Sequence, residues 1–339
     1  MLKVCILGAG LMGNTHSICY DSMSEQDVKV TAVADIAYDK AAAVAGKFNA
    51  RAYSSADELL DKEEADIIDI CLPTFMHREY IIKSLNKGCH VLCEKPLALS
   101  VEEGREIMEI ALKTDRKVMV AHCIRFWPEY ELLKEYIENK TLGRFLSGVF
   151  TRISPRRKPG TSWEDWIVKE ELSGSAVIDL HIHDVDFIRY ILGEPDEYQT
   201  MLYYNHDNPE HVFTNYRFGR VVVSTEAGGD YPNGGFQFSM GYRAVFEKGT
   251  VIYGCNNSKT VKIYMENGEV IEPDIKYPPI KPVGTGGNVP AVFGYYNEIE
   301  YFINCVRSGA DTEKCGIRSS FKTLELVHEI AAAGKKNVR

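Results

Sequence analysis

Over residues 1–123, apolar residues come in short consecutive runs separated by polar stretches. Five runs read as strands: Lys3–Leu7, Lys29–Ala34, Ile67–Leu72, His90–Cys93 and Lys117–Ala121. They are rich in Val and Ile and apolar at successive positions, the pattern of strands covered on both faces. Between them the period becomes helical. Asp39–Phe48 is alanine-rich, Arg78–Asn86 sets Ile81, Ile82 and Leu85 on one stripe before Gly88, and Ser100–Lys113 opens with Ser100 and Glu103 at capping-box spacing. Strands alternating with helices predict an α/β fold: an N-terminal, doubly wound Rossmann domain with a parallel sheet and right-handed crossovers.

From residue 124 the pattern changes. Pro128 suits the first turn of a helix. Seven strand-like runs follow, at Phe145–Arg152, Tyr198–Tyr204, Val212–Phe218, Val221–Ala227, Gln237–Phe246, Thr250–Cys255 and Val261–Glu266. Phe218-Gly219-Arg220 and Asn267-Gly268 are hairpin signals. A helix at Ile178–Leu192, stopped by Gly193 and Pro195, interrupts the strands, and two more close the chain at Tyr295–Arg307 and Ser319–Ala333. Tyr277–Val292 holds four prolines and three glycines and reads as a loop. Residues 124–339 therefore predict a C-terminal α+β domain built on a largely antiparallel open sheet.

Composition narrows the class. A chain of 339 residues has room for two such domains. Its 45% apolar and 26% charged content excludes wholesale disorder, a fibre and a coiled-coil rod. A net charge of −9 argues against a nucleic-acid partner. No apolar run reaches the ~18–20 residues of a membrane span, and Met1-Leu2-Lys3 enters a strand directly, without the longer apolar core of a secretory signal. Nine cysteines, an odd number with no CxxC pair, predict a reduced, cytoplasmic protein without a disulfide framework.

The chemistry begins where the first strand meets Gly8-Ala9-Gly10-Leu11-Met12-Gly13, a G-x-G-x-x-G. The strand before it, the helix after it and a second strand ending in Asp35, 22 positions past Gly13, are the context of a dinucleotide site. Gly8 permits the tight turn, Gly10 lets the backbone approach a pyrophosphate, and Gly13 lets the helix pack on the strand. The helix N-terminus offers N–H groups to the phosphates. Asp35 suits ribose hydroxyls and repels a 2′-phosphate, and Ile36 and Ala37 offer that phosphate no cation, so NAD is expected over NADP.

The fourth strand-like run ends in Glu94-Lys95-Pro96, placing Lys95 at a strand's carboxyl end, where doubly wound sheets gather functional groups. Lysine serves as a general acid/base when its pKa is lowered, and a surface lysine paired with Glu94 is the competing reading. Asp179 and His183 lie four apart, on one helix face, a spacing that suits either a proton shuttle or a solvated face. His181 and His183 would diverge on a helix and no cysteine cluster accompanies them, so no metal is expected.

Taken together, Gly8–Gly13, Cys71-Leu72-Pro73 with His77, Glu94-Lys95-Pro96, Arg125-Phe126 with Pro128, Trp163, and Asp179 with His183 run over nearly the whole chain. In these motifs the sequence resembles the glucose–fructose oxidoreductase/inositol dehydrogenase/MocA family of nicotinamide-dependent sugar and polyol dehydrogenases. The resemblance implies that Lys95 and His183 handle a hydroxyl proton while hydride moves to nicotinamide, with Asp179 contacting substrate or orienting His183. It also implies that Leu72, Pro73 and Thr74 border the cofactor's riboses. The family's glycine triplet before D-x-x-x-H is here Ser173-Gly174-Ser175.

Further candidates keep two readings each. His77 contacts cofactor or caps the next helix; Arg125 binds cofactor or substrate, or forms a structural salt bridge; Trp163 walls a sugar pocket or packs in the core. Arg156-Arg157-Lys158 receives an anionic substrate group or is a solvated run. The tyrosine-rich sheet suggests a flat apolar interface, and the resemblance implies that residues 124–339 bind substrate and form a homodimer or homotetramer through that sheet. The expected activity is NAD-dependent oxidation of a secondary hydroxyl on a sugar or cyclic polyol. Against it stand a non-catalytic nucleotide-bound sensor or scaffold, and a reductase of an activated alkene or imine.

Overall fold

The computed structural model describes residues 1–23, 27–156, 160, 163–205, 208–232, 235–254, 258–286 and 289–336. The chain forms two compact units, Met1–Phe126 with Pro278–Lys322, and Trp127–Tyr277 with Thr323–Arg339.

In the first unit, β1 (Leu2–Leu7), β2 (Val28–Ala34), β3 (Arg51–Tyr53), β4 (Ile67–Ile70), β5 (His90–Glu94) and β6 (Val118–Ala121) make one parallel sheet in the order 3-2-1-4-5-6. Helices α1 (Leu11–Ser22), α2 (Tyr38–Gly46), α3 (Ala56–Lys62), α4 (His77–Asn86) and α5 (Val101–Ala111) make the crossovers. The order reverses between β1 and β4, the switch point where such sheets open a ligand crevice at the strands' carboxyl ends. Val4–Leu7 and Ile67–Ile70 are buried throughout, as their unbroken apolar runs require. At α5, Ser100 Oγ accepts the Glu103 N–H (3.1 Å) and Glu103 Oε2 accepts the Leu99 N–H (3.2 Å), so the capping residues close the helix start. The edge strand β3 and helix α3 were not expected. β3 has three residues, none fully buried, and so carries no apolar run to find.

In the second unit, β7 (Phe145–Pro155), β8 (Glu197–Asn205), β9 (Asn208–Phe218), β10 (Val221–Tyr231), β11 (Ser239–Phe246), β12 (Gly249–Gly254), β13 (Ser258–Met265) and β14 (Val270–Ile271) form one sheet, ordered 14-13-12-11-7-10-9-8. Every pairing is antiparallel except β7 with β10. Helices α6 (Pro128–Asn139), α7 (Glu170–Ser173), α8 (Ser175–Asp179) and α9 (Ile182–Leu192) belong to this unit. Tyr130 of α6 meets Phe187 of α9 edge-on at 4.9 Å and Tyr242 of β11 at 5.1 Å, which seats both helices on the sheet's inner face. A buried ion pair, Arg152 Nε to Asp184 Oδ2 at 3.0 Å, ties β7 to α9. The outer face leaves Met201, Tyr203, Phe213, Val222, Ile252 and Tyr264 exposed.

After β14 the chain returns to the first unit through α10 (Phe293–Ser308), and α11 (Ile317–Lys336) follows. Asn297 Nδ2 donates to the Phe126 carbonyl (3.0 Å), and Gly316 bridges Met119 on β6. One cut after residue 123 therefore differs from the observed division. The buried face of α10, with Tyr296, Ile299 and Phe302, serves the first unit's core, and periodicity cannot say which core an apolar face joins. Among the described residues every cysteine is free, and no helix is long and apolar enough to cross a membrane.

Candidate functional site

The turn from β1 to α1 is shaped by contacts that admit only glycine at its ends. Gly8 has φ +95°, and a Cβ there would sit 2.8 Å from the Cys71 carbonyl carbon. A Cβ on Gly13 would run into the Gly8 carbonyl, so α1 lies directly against the turn. Gly10 is different: nothing lies within 4 Å of the place its Cβ would take. No side chain caps α1, which leaves its first-turn N–H groups facing outward past Gly10, while Leu11 is exposed and Met12 half-buried. Asp35, at the end of β2, accepts the Ala9 N–H on Oδ2 (2.7 Å) and the Ala37 N–H on Oδ1 (2.8 Å). Those two bonds fix its carboxylate beside the glycine turn and leave lone pairs for ribose hydroxyls. An open space at Gly10, an uncapped helix start and a fixed carboxylate fit a dinucleotide.

Leu72 and Pro73 follow β4 and lead into a 3-10 turn, Thr74–Met76. His77 does not cap α4. Its Nδ1 lies 2.8 Å from the Pro96 carbonyl and its Nε2 2.9 Å from the Leu72 carbonyl, so the ring braces the loop after β4 to the loop after β5. Burial lowers its pKa, and a neutral ring donates to one of the two. Glu94, Lys95 and Pro96 end β5. Lys95 is half-buried, its N–H donates to Glu94 Oε2 (3.1 Å), and its peptide bond to Pro96 is cis. Arg125 is fully buried: Nη1 donates to the Lys314 carbonyl (2.7 Å) and Nη2 to Ser319 Oγ (3.0 Å). These two bonds tie the end of the first sheet to the returning segment.

The sequence did not single out what lies behind Glu94. His16, on α1, is fully buried between two carboxylates: Nδ1 is 2.9 Å from Asp69 Oδ2, and Nε2 is 3.2 Å from Glu94 Oε1. Cys71 Sγ lies 3.5 Å from Nδ1. Glu298, on α10, joins this group with both oxygens buried and without a hydrogen bond. Asp69, the one charged residue in the apolar run of β4, was the signal available in the sequence.

In the second unit the D-x-x-x-H spacing crosses a break rather than running along one helix. Asp179 ends α8 and His183 lies in the first turn of α9, with Leu180 and His181 between the two helices. Both side chains are buried. The expectation of a single helix face is corrected here: α8 starts from Gly174 (φ +78°), where any Cβ would meet Ile178, and it completes little more than one turn. Gly174 is the member of the family's glycine triplet that this packing requires, while Ser175 adopts φ +67°. His181 turns into the sheet, with Nε2 2.6 Å from Thr225 Oγ1, and burial drives its pKa down to about 3. Arg156 donates its main-chain N–H to the Tyr231 carbonyl (2.8 Å), while Arg157, Lys158 and the indole of Trp163 lie outside the described residues. Lys95 belongs to the first unit, and Asp179 and His183 to the second.

A doubly wound sheet of order 3-2-1-4-5-6 with this glycine turn and this Asp35 defines a nicotinamide-dinucleotide-binding domain. Residues 2–122 match the oxidoreductase family with an NAD-binding Rossmann fold, and residues 130–271 the GFO/IDH/MocA C-terminal domain. Inositol 2-dehydrogenase 1 of Paenarthrobacter aurescens is 30% identical over 272 residues, 77% of this chain and 76% of that protein. D-glucoside 3-dehydrogenase of Escherichia coli is 32% identical over 196 residues, 57% of this chain; the match spans only 55% of that protein's length. The structure of levoglucosan dehydrogenase in complex with NADH and levoglucosan superposes with a TM-score of 0.84 at 22% identity, covering 99% of this chain and 97% of that one, and so shares the fold. The chain belongs to the glucose–fructose oxidoreductase/inositol dehydrogenase/MocA family of oxidoreductases, and its N-terminal domain is the family's NAD-binding Rossmann domain.

Proposed function

We propose that the protein is an NAD-dependent dehydrogenase that moves hydride between a secondary hydroxyl of a sugar or cyclic polyol and nicotinamide. The observation that carries this reading is Glu94-Lys95-Pro96 at the carboxyl end of β5, in the same unit as an open Gly10 and an anchored Asp35. NAD, when bound, supplies the hydride acceptor. The glycine turn Gly8–Gly13, with Leu11 and Met12, cradles the pyrophosphate at the start of α1. Asp35 accepts the adenosine ribose hydroxyls, and Leu72, Pro73 and Thr74 border the cofactor. His77 and Glu94 hold the loops beneath it, the first through main-chain carbonyls and the second through the Lys95 N–H. The Lys95 amine and the His183 imidazole hold and move the hydroxyl proton, and Asp179 orients His183 or the substrate. The names of the glucoside and inositol dehydrogenases among the relatives support a sugar or polyol as substrate. The outer face of the second sheet, with Met201 and Phe213, is the surface on which a second copy packs.

The test is growth of reduced-nicotinamide absorbance with purified protein, NAD and a panel of inositols, glucosides and anhydrosugars. Turnover should appear with at least one, and Lys95→Ala should lower kcat by ~10²–10⁴-fold while NADH still binds. Lost NADH binding with unchanged kcat would make Lys95 a cofactor clamp. NADH binding without turnover of any substrate would favour a sensor.

A further inference from the structure

The four titratable side chains behind Lys95 form a charge arrangement that the proposed proton transfer does not use. They come from four elements of the first unit: His16 from α1, Asp69 from β4, Glu94 from β5 and Glu298 from α10. Both ring nitrogens of His16 face carboxylate oxygens, Asp69 Oδ2 at 2.9 Å and Glu94 Oε1 at 3.2 Å. A neutral imidazole would turn a lone pair on one of them, and only a protonated carboxyl could answer it; a ring that donates from both nitrogens satisfies both contacts with Asp69 and Glu94 as carboxylates. Burial is the strongest single influence and opposes that charge, but the Asp69 carboxylate and the Cys71 sulfur together outweigh it and hold the pKa of His16 well above its ordinary value. One cation then faces two anions. The third carboxyl, Glu298, is kept uncharged by its own burial and by the charge on Glu94. The other polar groups facing the ring, Cys71, Cys19, Tyr20 and Tyr295, have pKa values raised by burial and stay neutral. While Glu94 Oε1 faces His16 Nε2 at 3.2 Å as the acceptor, its Oε2 accepts the Lys95 N–H at 3.1 Å.

We propose that His16 is a positioning residue: a buried, doubly donating imidazolium that fixes the Glu94 carboxylate, through which it sets the main chain that carries Lys95. The inference rests on Lys95 being the proton-transfer lysine. It also gives Asp69 a role, as the second carboxylate that secures the ring from the side away from Glu94.

Nitrogen-15 histidine spectra of the full chain test the protonation directly. His16, assigned by its loss in His16→Gln, should show two protonated ring nitrogens at pH 8; a singly protonated ring at pH 7 would overturn the proposal. A stoichiometric divalent ion in the purified protein, bound among His16, Glu94 and Glu298, would also overturn it, because a metal takes the ring's lone pair. In kinetics, His16→Gln should lower kcat at least tenfold with NADH Kd within twofold. The loss should vanish in a Lys95→Ala background; an equal loss there would make His16 merely structural and overturn the proposal. If His16→Gln does not fold, Glu94→Gln takes its place in the same cycle, with the same outcomes, and the ring signal of the unaltered protein is assigned by its shift in that variant. Glu298→Gln, replacing an uncharged acid with an amide of equal shape, should leave kcat and Tm unchanged; a large loss of either would mean the carboxyl is charged and would overturn the charge arrangement. Should the unaltered protein turn over no substrate, the dehydrogenase reading fails, and the ring spectra still decide the state of His16.

Discussion

Two glycines three positions apart should respond to the same substitution in opposite ways. Gly13→Ala places a methyl against the Gly8 carbonyl, with the carbonyl carbon 2.8 Å away, and neither partner is a side chain that can swing clear. Overpacking of this kind costs about 1–3 kcal/mol, and backbone on both sides puts this site near the upper end. At roughly 2–4 °C per kcal/mol for a unit of this size, Tm without cofactor should fall by about 6–12 °C. Gly10→Ala meets nothing within 4 Å, and its backbone, φ −72° and ψ −156°, is one any residue adopts. Alanine is a poorer N-cap than glycine by about 0.5–1 kcal/mol, and the stiffer unfolded chain offsets about the same amount. Tm should therefore move by less than about 2 °C. The methyl instead occupies the space reserved for the pyrophosphate, so the NADH Kd, read by fluorescence titration, should rise about tenfold or more, equivalent to ~1.4 kcal/mol. A Gly10→Ala protein that binds NADH normally would refute the placement of the pyrophosphate. An unchanged Tm in Gly13→Ala would refute the packing argument.

Three further outcomes follow from other parts of the molecule. NAD should bind about tenfold or more tightly than NADP, and Asp35→Ser should narrow the gap, since it removes the charge that repels a 2′-phosphate; equal affinities in the unaltered protein would sink the assignment of Asp35. His181 stays neutral in the fold down to about pH 3, whereas in the unfolded chain it takes a proton near pH 6.5. Its stability contribution is thus complete above pH 6.5 and drains as pH falls towards 3, by up to ~1.4 kcal/mol per pH unit; urea unfolding at pH 7, 6 and 5 should show a shallower decline in His181→Gln, and parallel declines would contradict the burial of the ring. Arg125→Ala should cost about 3 kcal/mol of stability while leaving the NADH Kd within twofold, and a large loss of NADH affinity with unchanged Tm would return Arg125 to the cofactor.

The first half of the chain was legible because its signals are local. Each buried strand needs an unbroken apolar run, α5 shows both a stripe and a cap, and the dinucleotide turn needs glycine at Gly8 and Gly13, which the structure shows in backbone contact. The same local logic led to a single helix at Ile178–Leu192, whose C-terminal end at Gly193 is observed and whose N-terminal end is not. The break at Leu180–His181 lies in a segment of uninterrupted helical pattern. It is decided by what surrounds it, since His181 is drawn into the sheet to Thr225 and Gly174 starts a separate short turn.

From the sequence alone came the two-domain α/β and α+β plan, the glycine turn with Asp35, and the candidate lysine, aspartate and histidine, all of which are short-range patterns of apolarity, backbone permission and residue chemistry. Tertiary structure alone decided which unit the C-terminal segment joins, since α10 could have covered any apolar surface and lies in the first unit with α1. It also decided the surroundings of His16. A histidine six positions after Gly10 has no distinguishing neighbours in sequence. Its two carboxylate partners, Asp69 and Glu94, lie 53 and 78 positions away, and only the parallel sheet brings them to the two sides of one ring.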